Sequence, residues 1–396
     1  AMIFSPGRTF PVATCAFFLQ DVLEITDPER AFAITAEGFA TVNPNTGTAP
    51  IFRSRRDVEL TTSIYTRVPV LIDRSTGTPV ATWPVRYVRM FDMTNDSRLF
   101  HTRVELEERE GAWPIGGNRF ASTTGEWVPL YEGKMVQAFD HRAASVVVNE
   151  ANVKRPAQPI AATDEQHRSP TWLPEPQFWV AEKVVAPKEG WHLAFKHVTS
   201  PTNVRSMIAA IIPGYGAGNS LPLIDVSGDS KTGALLAGCL NSIPLDYILR
   251  QKVQGQNLNW FIVEQLPFIA ANEYGLCFGS ITAAEIVLRS VLELSYTACD
   301  IAPFASGLGY VDAEGAVLPP FAWDEDRRLR LRARLDAVFF ILYGITSRDD
   351  VRYIFSTFPI VEREETTRWG RYRSRDLTLA WINALQAGQP DAEIDA

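Results

Sequence analysis

The chain has 396 residues, 46% of them hydrophobic and 21% charged, with a formal net charge of −8 at pH 7. That balance excludes wholesale disorder, and the length leaves room for two or three domains with sizeable cores. The sequence holds no run of about eighteen apolar residues to predict a membrane span, and no basic segment leading into an apolar core to predict a secretory signal.

Residues 1–128 read as mostly short strands. Apolar, β-rich stretches at 9–19 and 31–41 come first, followed by turn chemistry in Asn43-Pro44-Asn45-Thr46-Gly47. A helix is expected over 57–67 with Ser54 as its N-cap. Strands are expected at 68–73 and 85–91, around the 75–79 turn, and Gly116-Gly117-Asn118 marks another tight connection. Residues 129–142 predict a strand running into a polar turn, where Gly133 permits close backbone approach. Tyr131, Met135 and Phe139 belong to the core there, while Lys134, Gln137, His141 and Arg142 offer donors. Five prolines (Pro156, Pro159, Pro170, Pro174, Pro176) predict a long exposed loop over 150–178. A polar stretch follows with Lys196, His197, Thr199, Thr202, Asn203 and Arg205.

The most informative segment is 218–267. It reads as a short apolar strand, a loop with helix-start chemistry, an apolar helix, and a polar turn into a second strand. Leu235, Leu236, Cys239, Leu240, Ile243 and Tyr247 recur at helical spacing, so one face is buried. Proline inside a helix costs about 3 kcal/mol, so Pro244 predicts a restart with Ser242 as N-cap. Arg250, Gln251 and Lys252 close the second helix, where cations suit the macrodipole. Then Gln254-Gly255-Gln256-Asn257-Leu258-Asn259 places amide side chains in a turn before an apolar run at 260–263. Asn, Gln and Arg can form two hydrogen bonds to one base edge. A core helix ending in an ordinary polar turn would use the same residues. Beyond Pro267 helices are expected at 281–298, 324–343, 348–358 and 374–385. The fold class is therefore α+β, with a β-rich N-terminal half, a mixed middle and a helical C-terminal part.

Little in the sequence points to catalysis by this chain alone. Leu318-Pro319-Pro320-Phe321 has the outline of an amino-methyltransferase tetrapeptide, but Leu318 cannot accept a hydrogen bond from a target amine. The glycines at 214–218 lead into another strand rather than a helix, so they do not form a cofactor loop. Cys15, Cys239, Cys277 and Cys299 lie far apart, which argues against zinc and fits thiols in a reducing cytoplasm. Ala1 before Met2 reads as the scar of a cleaved tag. The negative net charge requires any DNA-binding surface to be segregated, because counterion release needs cations against phosphates. Arginine clusters at 53–56, 86–89, 327–334 and 368–375 are the sources, although the acids interleaved in DEDRRLRLRARLD point to internal pairing.

The order LLAxxLNS…DYxxRQKxxGxxLNxFIxxQLP resembles the target-recognition region of large bacterial adenine-specific DNA methyltransferases, the type IIG restriction group and its defence-system relatives. Further blocks agree in the same order: NPNTGTAPIFRSRRDVEL (43–60), VRMFDMTNDSRLFHTR (88–103), PLYEGKMVQAFDHR (129–142), FKHVTSPTNVRSMIAAIIP (195–213) and the C-terminal run beginning WDEDRRLRLRARLD. The resemblance implies a support domain over 1–128, a recognition domain over 129–270 and a helical brace over 271–396. It implies that double-stranded DNA and an adenine methyltransferase domain or subunit are the partners. S-adenosylmethionine would be bound by that partner domain, and no cofactor is expected in this chain. Phosphate contacts are expected from Lys134, Arg142, Lys196 and Arg250, with His141 and Lys252 beside them. Base readout is expected from Asn203, Arg205, Gln256 and Asn257. Two departures from the family pattern stand out: Pro244 replaces an apolar helix former, and His197-Val198-Thr199-Ser200-Pro201 replaces a more arginine-rich opening. A protein-interaction scaffold of a defence complex, without DNA binding, is the alternative expectation.

Overall fold

The computed structural model describes residue 7 and residues 10–148, 157–186 and 190–394. The fold is α+β. One sheet has the order Trp179–Ala181, Gly125–Tyr131, Arg119–Ser122, Trp113–Gly116, all antiparallel, and Gly216–Ala217 pairs in parallel with the second of these strands. A second antiparallel sheet runs Ala209–Pro213, Trp191–Phe195, Leu223–Asp225, Arg86–Val88. Its two strands Trp191–Phe195 and Ala209–Pro213 are buried along their whole length, so they read as continuous apolar runs rather than as alternations.

Behind that sheet lie the helices Ser230–Leu240 and Ile243–Arg250, and behind them the C-terminal helices. Glu325–Leu342 is the central one; Leu331, Leu335, Val338, Phe339 and Phe340 are buried against its neighbours Ala283–Ser295, Ile243–Arg250 and Arg373–Gln386. The main core draws on Phe52 and Ile64, on Phe195 and Leu249, and on Phe339 and Trp381, so all three sequence stretches contribute to one apolar cluster. Among the described residues no single helix is long and apolar enough to cross a membrane. The bent pair Ser230–Leu240 and Ile243–Arg250, which passes that test jointly, lies mostly inside this core.

Local chemistry sets the helix starts. Ser54 accepts from the Asp57 amide at the head of Arg55–Arg67. Thr282 and Glu285 form a reciprocal capping box, and Asp324 caps the central C-terminal helix. Pro244 sits in the first turn of Ile243–Arg250 with Ser242 at the N-cap position, where its missing N–H and fixed φ cost nothing. Gly133 is required by packing: a Cβ there would lie 2.6 Å from the Ser220 carbonyl oxygen.

Several expectations are corrected. Among the described residues 10–19 only Val12–Cys15 is a strand, and it is largely exposed. Residues 31–41 split into the strand Phe32–Thr35 and the helix Ala36–Val42, because Thr35 caps the Gly38 amide. The stretch 150–178 is not a free loop where it is described. Ala157–Ala161 pairs with Ala144–Val148, and Asp164–Arg168 is a helix with its own capping box; residues 150–156 lie outside the described residues. The strand expected after the 254–259 turn is instead the short helix Trp260–Val263, and Pro359–Trp369 is a further helix with no expected counterpart. In the arginine-rich helix, Arg330 pairs with Asp326 at 2.8 Å, but Arg327 reaches Glu293 on a neighbouring helix at 2.7 Å.

Candidate nucleic-acid interface

The two helices Ser230–Leu240 and Ile243–Arg250 act as a frame for three loops. Asn241, between them, is buried and brackets Ala209, accepting from its N–H and donating to its C=O, both at 2.9 Å. Asp246 is fully buried and accepts from Arg205 Nε at 2.6 Å and from the amides of Ser206 and Met207 at 3.1 and 3.2 Å. Arg250 donates to the carbonyls of Asn203 at 2.6 Å, Val204 at 2.9 Å and Thr357 at 3.2 Å, with its guanidinium 4.1 Å from the Phe358 ring centre. The 200–207 loop is thereby clamped to the helix end. Burial lowers the pKa of Arg250, with Asp246 opposing. Lys252 donates to the Val42 carbonyl at 2.7 Å and to the Asn43 side chain, which ties down the 43–50 loop. Burial draws its ammonium pKa down to about 7.

The turn that follows is rigid in its backbone and open in its side chains. Thr199 N–H donates to the Gln256 carbonyl at 2.9 Å, Leu258 N–H to the His197 carbonyl at 2.7 Å, and Val198 bridges Asn257. Gln254, Gln256 and Asn257 are exposed, as is Asn203 across the clamp. A cavity of about 360 Å³ opens on one side of Gln254, lined by Arg53, Asp57, Thr202, Arg250 and Gln251 among others. A second, of about 420 Å³, opens on the other side beside Asn43, Lys252, Gln256 and Asn257. Gln254 therefore forms a ridge between two depressions, and Gln256 and Asn257 continue from it along the wall of the second.

Six of the ten residues expected to bind DNA gather here: Asn203, Arg205, Arg250, Lys252, Gln256 and Asn257. They divide into two roles, with Asn203, Gln256 and Asn257 presented outward and Arg205, Arg250 and Lys252 spent on internal carbonyls and carboxylates.

The other four lie elsewhere. Arg142, expected as a phosphate contact, has no exposed surface. Its guanidinium donates to the carbonyls of Ser169 at 2.7 Å, Trp172 at 3.1 Å, and His167 and Thr297 at 2.9 Å each. His141 is equally buried and bonded to Asp300 at 2.9 Å. Neither can reach a phosphate without unfolding the segment, so both assignments are corrected to structural ones. Next to them, Asp140 holds His167 at 3.2 Å, and Trp323 stacks on His167 at 3.8 Å and under Arg328 at 3.7 Å. Lys134 is half-buried and paired with Glu132 at 3.0 Å. Lys196 is half-buried at the end of Trp191–Phe195, where burial lowers its pKa to about 8.

Sequence reasoning missed Phe18, Asp57 and Tyr247 in the first cavity. Asp57 carried a signal only for a helix start, and nothing in the sequence marks Phe18. Among the described residues no group of three or more His, Cys, Asp or Glu side chains is placed to hold a metal. No protein-family model, curated protein or solved structure matches the chain.

Proposed function

We propose that the chain is a target-recognition module that reads double-stranded DNA for a partnered or fused N6-adenine methyltransferase in a restriction or phage-defence setting. The observation that supports this reading best is the ridge at 254–257. Its backbone is zipped to 198–199, its helix is clamped to two flanking loops, and its exposed side chains are amides. Such groups read base edges in a groove, each bidentate pair discriminating by about 1–3 kcal/mol. Preorganisation on helices and tied loops is what such readout needs. On this reading S-adenosylmethionine and the transfer chemistry belong to the methyltransferase partner.

The test is duplex binding by fluorescence anisotropy with a random-sequence pool across a salt series. Few outward cations flank the ridge: Arg53 lines the first cavity and exposed Arg55 lies two residues on, so about two or three phosphate contacts and a log–log salt slope of roughly −2 to −3 are expected. Gln256→Ala with Asn257→Ala is expected to abolish selection of a site from the pool while leaving that slope in place. Failure of the wild-type chain, alone and with its methyltransferase, to bind duplex at low salt sinks the proposal.

The scaffold reading draws on one observation: Arg142, Arg205, Arg250 and Lys252 are consumed inside a chain of net charge −8. Stable co-purification with a methyltransferase subunit, with neither retaining DNA, would favour it.

A further inference from the structure

We propose that the cavity beside the ridge is a nucleobase pocket, filled by a base turned out of the bound duplex. That source of the base rests on the DNA-recognition reading; the pocket chemistry does not.

Three features on the page converge. The first is an unpartnered donor in a lining residue. Gln251 is only 6% exposed, and its Oε1 accepts from Thr61 Oγ1 at 2.7 Å. Its Nε2 is buried with no hydrogen-bond partner, and the residue lines the cavity. A buried donor left unpaired costs about 1–3 kcal/mol, and a ligand acceptor at this point removes that cost. The second is an acceptor in the same lining. Asp57 is 3% exposed, and Tyr247 and Tyr353 donate to its Oδ1 at 2.7 and 2.9 Å. Its Oδ2 takes one bond, from the Arg53 amide at 2.8 Å, and keeps a lone pair for a ligand N–H. A donor and an acceptor in lining residues of one cavity match the mixed edge of a base once the lining relaxes around it.

The third feature is at the mouth. Phe18 also lines the cavity and is 62% exposed, so its ring face is open to a ligand. Its backbone is held at φ 54°, a conformation uncommon for a non-glycine residue, and Arg30 donates to its carbonyl at 2.9 Å. The Arg53 guanidinium lies 5.6 Å from the ring centre. An aromatic face and a guanidinium fixed over a slot with apolar walls at Ile51 and Val253 form a stacking platform. The volume of about 360 Å³ lies within the range of small-molecule sites.

The experiment compares the affinity of the wild-type chain for a random-sequence duplex pool and for the same pool with one central mispaired purine. Extrusion costs least for a mispaired base. The wild type is expected to prefer the mispaired pool by about tenfold or more, because about 1–2 kcal/mol of unpairing cost is already removed there. Phe18→Ala and Thr202→Trp, both at exposed positions and the second filling the mouth, are expected to lose that preference. Equal affinity for the two pools, or a preference that both variants retain, overturns extrusion into this cavity. If no duplex binds, the DNA-recognition reading fails, and calorimetric titration with adenosine monophosphate decides the pocket by itself. Binding that Thr202→Trp abolishes supports a site for free nucleotides, and absence of binding overturns the nucleobase assignment altogether.

Discussion

Arg142→Met separates a structural arginine from a phosphate contact. The native guanidinium donates to four main-chain carbonyls, of His167, Ser169, Trp172 and Thr297, so one side chain ties residues 142, 167–172 and 297 together. Methionine fills much of the volume but leaves these carbonyls unpaired. Hydrogen bonds to a charged group are worth about 1.5–3 kcal/mol each, and orphaned buried acceptors add a desolvation cost. Asp140 and Asp300, whose fields favour the buried cation, also lose their counter-charge. Breaking a buried charged network by removing one member costs about 3–5 kcal/mol. An unfolding entropy near 2.1 cal/mol/K per residue gives roughly 0.8 kcal/mol/K for a chain of this length, so a loss of about 4 kcal/mol lowers Tm by about 5 °C. Calorimetry on both proteins at pH 7.5 reads this directly. A variant that melts within 1 °C of the wild type but loses about one unit of DNA salt slope would refute the argument and restore Arg142 to the DNA surface.

Other outcomes follow from the same geometry. Gly133→Ala sets a methyl group 2.6 Å from the Ser220 carbonyl oxygen, and overpacking of this kind is expected to cost about 1–3 kcal/mol, read as a fall in urea midpoint. Asp336 is buried with its pKa raised to about 6, burial outweighing the nearby arginines. The folded state therefore holds this proton more tightly than the unfolded state does. Its stabilisation is present below the ordinary carboxylate pKa and is lost as pH rises to about 6. Asp336→Asn keeps an acceptor for the Ile243 amide, so its stability relative to wild type is expected to improve by up to about 3 kcal/mol between pH 4 and pH 8; an unchanged difference would contradict this. Lys252, with its pKa lowered to about 7, has the opposite sign among cations: the unfolded chain binds the extra proton between pH 7 and the ordinary lysine value, so stability rises with pH across that window. Lys252→Met should flatten that rise in denaturation curves.

Much of the architecture could be read from local chemistry. The restart at Pro244, the cap at Ser54 and the close approach at Gly133 each depend on one residue's backbone demands, and those are legible without tertiary information. The helix at 36–42 was misread because its apolar residues suit either period, and only the Thr35 cap decides between them. The site was legible as a region and not as a set of roles. Arg142, Arg205 and Arg250 look alike in sequence to arginines that meet phosphate, since nothing local states whether a guanidinium will find carbonyls or solvent. The exposure of Gln256 and Asn257 is legible because a turn forces its side chains outward. The cavity placement of Asp57 and Gln251 is not, because a cavity lining is assembled from residues nearly two hundred positions apart.

The shared core also bears on how recognition could be changed if the DNA-reading proposal holds. Phe52, Leu249 and Phe339 pack into one cluster, and Asn241, Asp246 and Arg250 rivet the 200–209 strand and loop to the helices beneath. A chimera spliced near residue 128 or 270 would cut through that cluster and exchange its packing along with its specificity. Side chains at 203, 254, 256 and 257 carry no such burden, so on the DNA-reading proposal new recognition sites are reached by replacing single residues on a fixed scaffold.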